Sequence, residues 1–293
     1  MLTFNVPPGI GDISWIYCKL ASLGRPFQLN ICENHTLNRA CGFVDILPGV
    51  VNGGYKNFSY SQAFLKDKLG LAPDTDIYRL PDGEYYLSAN LWLDAGNRIE
   101  GFLPTLEPQF HYELATTDQH KENARKAIEG LPRPLIVIYT SKYVPPETGW
   151  HLWSPDEWAQ FCRRLHEHFD GKVGFAFIGA KFDTTIGHEA AEKTAAFAPA
   201  VNLIGKTEVG DVVEIIREAD YLVAFPSGMG ILGDVIDTPT MMFLPHKLRL
   251  LKDTYADPKN IESGRHINTP YLKVDEAFGL WKKTGLPHME ILK

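Results

Sequence analysis

Pro134-Leu135-Ile136-Val137-Ile138-Tyr139-Thr140 is the stretch on which the fold turns. An unbroken apolar run of strand length, entered through a proline, fits a strand buried on both faces, as in a parallel sheet covered by helices. A loop rich in Pro, Gly and Trp follows and ends at Ser154. Ser154 and Glu157 form a capping-box pair, Pro155 takes the first helical position, and Trp158, Phe161, Cys162 and Leu165 supply a buried stripe. The alternation then repeats. Strands are expected at Val173 to Ile178, Val201 to Ile204, Tyr221 to Phe225 and Thr240 to Leu244. Helices are expected at Thr184 to Phe197, around Val212, Ile215, Ile216 and Ala219, and from about Met229. Regular β-α alternation implies a doubly wound α/β domain that binds ligands at the carboxyl ends of its strands.

The beginning of the chain reads the same way. Leu2 to Val6 is a strand, Pro7-Pro8-Gly9-Ile10-Gly11 a turn, and Ile13, Ile16, Tyr17 and Leu20 mark one face of a helix before a second strand at Phe27 to Ile31. From Phe43 to Leu114 the pattern blurs, with helix candidates at Ser61 to Leu69 and Asn90 to Ile99. Lys121 to Gly130 is read as a short amphipathic helix, Leu131-Pro132-Arg133-Pro134 as a hinge, and Val274 to Gly285 as a final helix. The expected division is 1–130, an acceptor-side domain, 131–272, a nucleotide-binding domain, and 273–293, a helix that the resemblance given below returns to the first domain.

The chain has 293 residues, which suits two domains. With 29 Lys+Arg against 36 Asp+Glu, the formal net charge of -7 argues against a protein whose affinity comes from neutralising many phosphates. Cys18, Cys32, Cys41 and Cys162 have no CxxC spacing and are read as reduced and packed. No apolar run reaches membrane-spanning length and the first residues lack a signal-like segment, so a cytoplasmic protein without integral membrane contact is expected.

Two glycine-rich turns carry the chemistry. Gly9-Ile10-Gly11-Asp12 lets the backbone approach a ligand, and either Asp12 caps the helix or the turn presents amides and a carboxylate to substrate. A dinucleotide fingerprint is half met: Glu33 fits its acidic position, but Ser14 stands where Gly or Ala belongs. Ser227-Gly228-Met229-Gly230 opens a helix after a strand, as a phosphate cradle or as a plain turn. Thr140, Ser141, Lys142, Gly179 and Lys206 also lie just past strand ends, and such loops converge on one crevice. His151, in Trp150-His151-Leu152-Trp153, is a part-time cation near that crevice or an exposed loop histidine. The ten histidines are scattered, and His166 and His168 do not share a helix face, so no metal site is expected.

The order Trp153-Ser154-Pro155-Asp156-Glu157-Trp158, Phe177-Ile178-Gly179, Leu203-Ile204-Gly205-Lys206-Thr207, Ala219-Asp220 and Ser227-Gly228 resembles the nucleotide-sugar half of glycosyltransferase family 9, the heptosyltransferases. Gly9-Ile10-Gly11-Asp12 resembles that family's N-terminal Gly-Asp turn. The resemblance implies a GT-B fold: two Rossmann-like α/β domains facing across a cleft. It implies inverting, metal-independent transfer of a sugar from a nucleotide-sugar co-substrate, with Asp12 as general base and no further cofactor. Gly11, Thr140, Ser141, Lys142, His151, Gly179, Lys206, Ser227, Gly228, Met229 and Gly230 would hold the donor. The acceptor stays open among a lipid-linked saccharide, a protein, a small molecule and a hydroxylated nucleobase in DNA. Pro226, Ile231 and His151 stand where the family has Asp, His and Lys, which leaves the donor open. Two other readings stay open: an NAD-dependent Rossmann oxidoreductase and a non-catalytic nucleotide-sugar-binding module.

Overall fold

The computed structural model describes residues 1–32, 42–56, 77–80, 83–87, 108–140, 153–181, 184–225, 227–244, 256–270 and 272–289. Ser141, Lys142, His151, Glu33, Cys41, Pro226 and both helix candidates of the middle region lie outside these residues. The chain forms two compact units, Met1–Ala115 and Thr116–Lys293.

In the first unit β1 (Leu2–Val6), β2 (Phe27–Cys32), β3 (Val50–Lys56), β4 (Ile77–Arg79) and β5 (Tyr85–Leu87) form one sheet, ordered β3-β2-β1-β5-β4. Only β4 is antiparallel to its neighbour. Strand alternation puts Phe4, Phe27 and Leu29 on the face that meets helix α1 (Ile10–Leu20), where Phe4 and Phe27 pack edge to face at 5.6 Å. The opposite face carries a polar ladder. Gln28 Nε2 donates to Asn30 Oδ1 (2.8 Å), Asn30 Nδ2 to Asn5 Oδ1 (3.0 Å), and Asn5 Nδ2 to Glu84 Oε2 (2.8 Å). Glu84 also pairs with Lys56. Asn5 and Asn30 are buried, and the ladder satisfies them. A bulge at Gly53 and Gly54 makes room for it: a Cβ on Gly53 would stand 1.8 Å from Asn30 Oδ1, and Gly54 has φ +76°.

In the second unit six strands, all parallel, are ordered β11-β10-β9-β6-β7-β8: β6 (Leu135–Tyr139), β7 (Gly174–Phe177), β8 (Ala200–Asn202), β9 (Tyr221–Ala224), β10 (Thr240–Leu244) and β11 (His266–Pro270). The order reverses between β6 and β9, as in doubly wound nucleotide-binding sheets. Side chains on one face of the sheet, among them Ile136, Ile138, Phe175 and Phe243, meet α3 (Pro155–His168), α4 (Thr184–Ala195) and α8 (Val274–Leu280). On the other face Leu135, Val137, Ile178 and Ala224 meet α2 (Asp118–Ala127) and α5 (Val209–Arg217). Helix α6 (Gly228–Val235) joins β9 to β10, and α7 (Pro258–Ser263) precedes β11. The capping box at Ser154 is present: Ser154 N–H donates to Glu157 Oε2 (2.8 Å) and Glu157 N–H to Ser154 Oγ (3.3 Å).

Three boundaries differ from the sequence reading. Helix α2 begins at Asp118, because the His120 imidazole accepts from Thr117 N–H and so takes the part a Glu or Gln usually plays. The units divide at 115/116 rather than 130/131: Thr116 bonds to Glu214, and a Cβ on Gly210 would lie 2.3 Å from the His120 ring, so α2 is seated on α5. Leu131 to Pro134, expected as a hinge, therefore lies inside the second unit. Arg133 is bound to Asp220, whose carboxylate also accepts Leu135 N–H (2.6 Å) and so anchors the start of β6. The final helix, finally, packs in the second unit. Trp281, fully buried in a π-helical turn after α8, meets Tyr221, Phe169 and Phe278 edge or face on.

Cys18, Cys32 and Cys162 are buried, and burial pushes the Cys32 and Cys162 thiols up to about 12. Among the described residues no helix is long and apolar enough to cross a membrane.

Candidate functional site

In the second unit the switch point between β6 and β9 brings together two of the sequence's candidate positions. Thr140 directly follows β6, and Ser227 opens α6 after β9. Adjacent strands are about 4.8 Å apart, so both positions stand close to each other at the carboxyl end of the sheet. Ser227 is the N-cap, its Oγ accepting from Met229 N–H at 3.2 Å. Thr140 is buried, and its Oγ1 has no hydrogen-bond partner among the described residues. Leaving a buried hydroxyl unpaired costs roughly 1–3 kcal/mol, so this one calls for a partner that the described residues do not supply.

The flanking positions are arranged in steps. Gly179, just past β7, accepts Gly205 N–H at 2.8 Å, which ties the loops after β7 and β8 together. Lys206 lies past the edge strand β8, two strands from β6, with its Nζ donating to Asn202 O (2.8 Å). Asn202 in turn meets His188 Nδ1 (2.7 Å) and accepts Ile204 N–H. Gly230 is the third residue of α6, and a Cβ on it would stand 2.5 Å from Met242 Sδ of β10.

The first turns of α4, α6 and α7 contain no acidic residue, and of these α7 has Asp257 as its N-cap instead. By contrast α1, α2, α3, α5 and α8 carry Asp12, Asp118, Asp156 with Glu157, Asp211, and Asp275 with Glu276 there. Acids in a first turn answer the helix dipole internally, and the two helices that follow β7 and β9 leave that positive end for something else. Gly187 in α4 was not singled out by sequence reasoning. A Cβ there would stand 2.8 Å from Thr140 Oγ1 and 2.4 Å from Ile204 Cδ1, so it must be glycine for α4 to approach β6. The available signal was a glycine inside a helical pattern, which costs about 1 kcal/mol against alanine and wants a packing reason.

In the first unit the N-cap of α1 is Gly9, extended at φ -91° and ψ 135°, so Asp12 is not the cap but the third helical residue, partly exposed in the first turn beside Gly11. Ser14, where a dinucleotide fingerprint needs Gly or Ala, is fully buried and bonds Tyr112 OH at 2.7 Å. Burial raises the Tyr112 and Tyr17 hydroxyls above their ordinary range, and Tyr17 OH donates to Pro48 O (2.8 Å). These phenols hold α1 in place. Among the described residues no group of three or more His, Cys, Asp or Glu could hold a metal ion.

Comparison with solved structures matches nearly the whole chain. An Escherichia coli ADP-heptose LPS heptosyltransferase II aligns at TM-score 0.60 and 12% identity, over 98% of this chain and 99% of that one. A glycosyl transferase family 9 protein from Veillonella parvula aligns at TM-score 0.61 and 12% identity, over 98% and 93%. An E. coli heptosyltransferase solved with ADP aligns at TM-score 0.55 and 12% identity, over 97% and 100%. The chain has the GT-B fold. No protein-family model and no curated protein matches the sequence. The GT-B fold accounts for the two α/β units, and the expected fold class is borne out.

Proposed function

We propose that the protein is a glycosyltransferase that uses a nucleotide-sugar donor, with inverting, metal-independent transfer. The single observation that carries the reading is the buried Thr140 hydroxyl at the end of β6, which lies next to Gly187 of α4 and has no partner among the described residues, with the uncharged first turn of α6 following the neighbouring strand β9. A diphosphate there would accept from Thr140 and from the α6 amides, and the developing charge on the leaving nucleoside diphosphate would meet donors already in place. Ser141, Lys142, His151, Gly179 and Lys206 are the further donor candidates.

An acceptor oxygen forms the new bond to the anomeric carbon as the bond from that carbon to the diphosphate breaks. The acceptor proton passes to a carboxylate, the role proposed for Asp12, with Gly11 beside it leaving the turn open. A saccharide hydroxyl is the proposed acceptor, and a hydroxylated nucleobase is the alternative to be assayed beside it.

The test is mass spectrometry of nucleotide sugars that co-purify with the protein, followed by thermal shift with each candidate. A ligand that binds only the folded state raises the midpoint. A nucleotide sugar that raises it and is consumed with EDTA present supports the proposal. A rise with NADH alone would replace it with an oxidoreductase. Tight binding of a nucleotide sugar without hydrolysis or transfer would leave a binding module.

A further inference from the structure

Helix α6 is eight residues long, Gly228-Met229-Gly230-Ile231-Leu232-Gly233-Asp234-Val235, and three of them are glycine, the poorest helix former after proline. Two of these sit at i and i+3, on one side of the helix, and that side faces the sheet. A Cβ on Gly230 would lie 2.5 Å from Met242 Sδ, and a Cβ on Gly233 would lie 2.3 Å from Thr240 Oγ1 and 2.7 Å from Leu222 Cδ2. Ordinary contact begins at 3.4 Å. Each of these neighbours would have to shift inside the core to make room. Met242 and Leu222 are buried, and Thr240 Oγ1 is held by donating to Thr238 O at 2.8 Å. The far end of α6 is anchored as well: Asp234 accepts Asp257 N–H (2.7 Å) and Asn260 Nδ2 (2.9 Å).

We infer that Gly230 and Gly233 are positioning residues, which set how deep α6 sits on β9 and β10 and so where its N-terminal amides stand beside the end of β6. This rests on the donor reading of the switch point given above. Glycine at both positions keeps the helix about 1 Å closer than alanine would allow. Hydrogen bonds to a bound phosphate hold only over about 2.7–3.2 Å, so a lift of that size would take the amides out of range. The ligand concerned is the diphosphate of a nucleoside diphosphate, and the residues act on it through the backbone, touching it with no side chain.

The test is calorimetric titration of the whole chain with ADP, GDP and UDP, taking whichever binds the unmodified protein most tightly. Gly233→Ala and Gly230→Ala are each expected to weaken it at least about 10-fold, since a misplacement near 1 Å can cost on the order of 100-fold. Met242→Ala, which leaves that residue's own Cβ at 3.5 Å, is expected to bring Gly230→Ala back to the affinity of Met242→Ala alone. Gly279→Ala is the control, because no atom stands within 4 Å of a Cβ there and its affinity should not move. If Gly230→Ala does not fold, the double variant against Met242→Ala still decides: equal affinities support the seat, and a weaker double variant overturns it. Unchanged affinity in Gly233→Ala, with only the melting midpoint lowered, would also overturn it and leave the donor reading standing. Failure of all three nucleotides to bind the unmodified protein would overturn both.

Discussion

The two sheets of this chain reach a buried interior by different chemistry. The six-stranded sheet is apolar on both faces: Ile136, Ile138, Phe175 and Phe243 pack one way and Leu135, Val137, Ile178 and Ala224 the other. The five-stranded sheet is apolar toward α1, and its other face buries the Gln28, Asn30, Asn5 and Glu84 ladder beside Tyr86 and Cys32. An apolar sheet tolerates small shifts in side-chain packing, whereas a buried polar ladder works only if every member keeps its partner. The second unit thus has the sheet order that presents a ligand crevice, and the first a sheet whose register is locked by hydrogen bonds.

Variants can break this contrast. The largest effect is expected for Asp12→Asn, which should lower the transfer rate by roughly 10²–10⁴-fold, the usual worth of a general base, with donor affinity unchanged. Rate and donor titration measured together check it, and loss of donor affinity instead would move the residue's role away from proton transfer. Next is Trp281→Ala. A tryptophan buried against Tyr221 and Phe169 should cost about 3–5 kcal/mol in urea unfolding. A cost below about 1 kcal/mol, within the range of ordinary surface substitutions and their scatter, would place the final helix outside the second core.

A smaller effect is expected for Asn30→Leu. It leaves Asn5 Oδ1 and Gln28 Nε2 unpaired and should cost about 1–3 kcal/mol, despite adding apolar surface. A neutral or stabilising result would show that the ladder is not what holds the first sheet in register.

The smallest effect concerns pH and the second unit. His266 is buried on β11, with Nε2 bonded to Asn268 Oδ1 (3.1 Å) and Nδ1 3.9 Å from Asp234 Oδ1. Burial lowers its pKa below the ordinary 6.5, although the Asp234 carboxylate and Asn268 pull the other way. The unfolded chain then takes up this proton at a higher pH than the folded one. Stability from the neutral imidazole is whole above 6.5 and falls as pH drops below it, by at most about 1.4 kcal/mol per pH unit. Urea unfolding between pH 7 and 5 should show that slope, and His266→Gln should flatten it.

Much of the second unit could be read directly. Strands such as Leu135–Tyr139 and Tyr221–Ala224 are buried on both faces and therefore unbroken in hydrophobicity, and the Ser154 capping box is a local rule. Other elements were illegible for physical reasons. Strand β3 is a partly exposed edge interrupted by Gly53-Gly54, β4 and β5 have three residues each, and β11 reads His-Ile-Asn-Thr-Pro with no period. Thr140 was found because it ends a legible strand. Gly187 was not, since its reason to be glycine is a threonine 47 positions earlier in the chain.

By itself the sequence determined the α/β class, the doubly wound second half and the two glycine-rich turns, because hydrophobic period, caps and turn chemistry act within a few residues. Tertiary structure alone decided that β6 and β9 are neighbours, that the units part at Ala115 and that the last helix stays with the second unit. It also decided that Gly230 faces Met242. Each of these depends on which surfaces meet across long stretches of chain, and no local pattern encodes such a meeting.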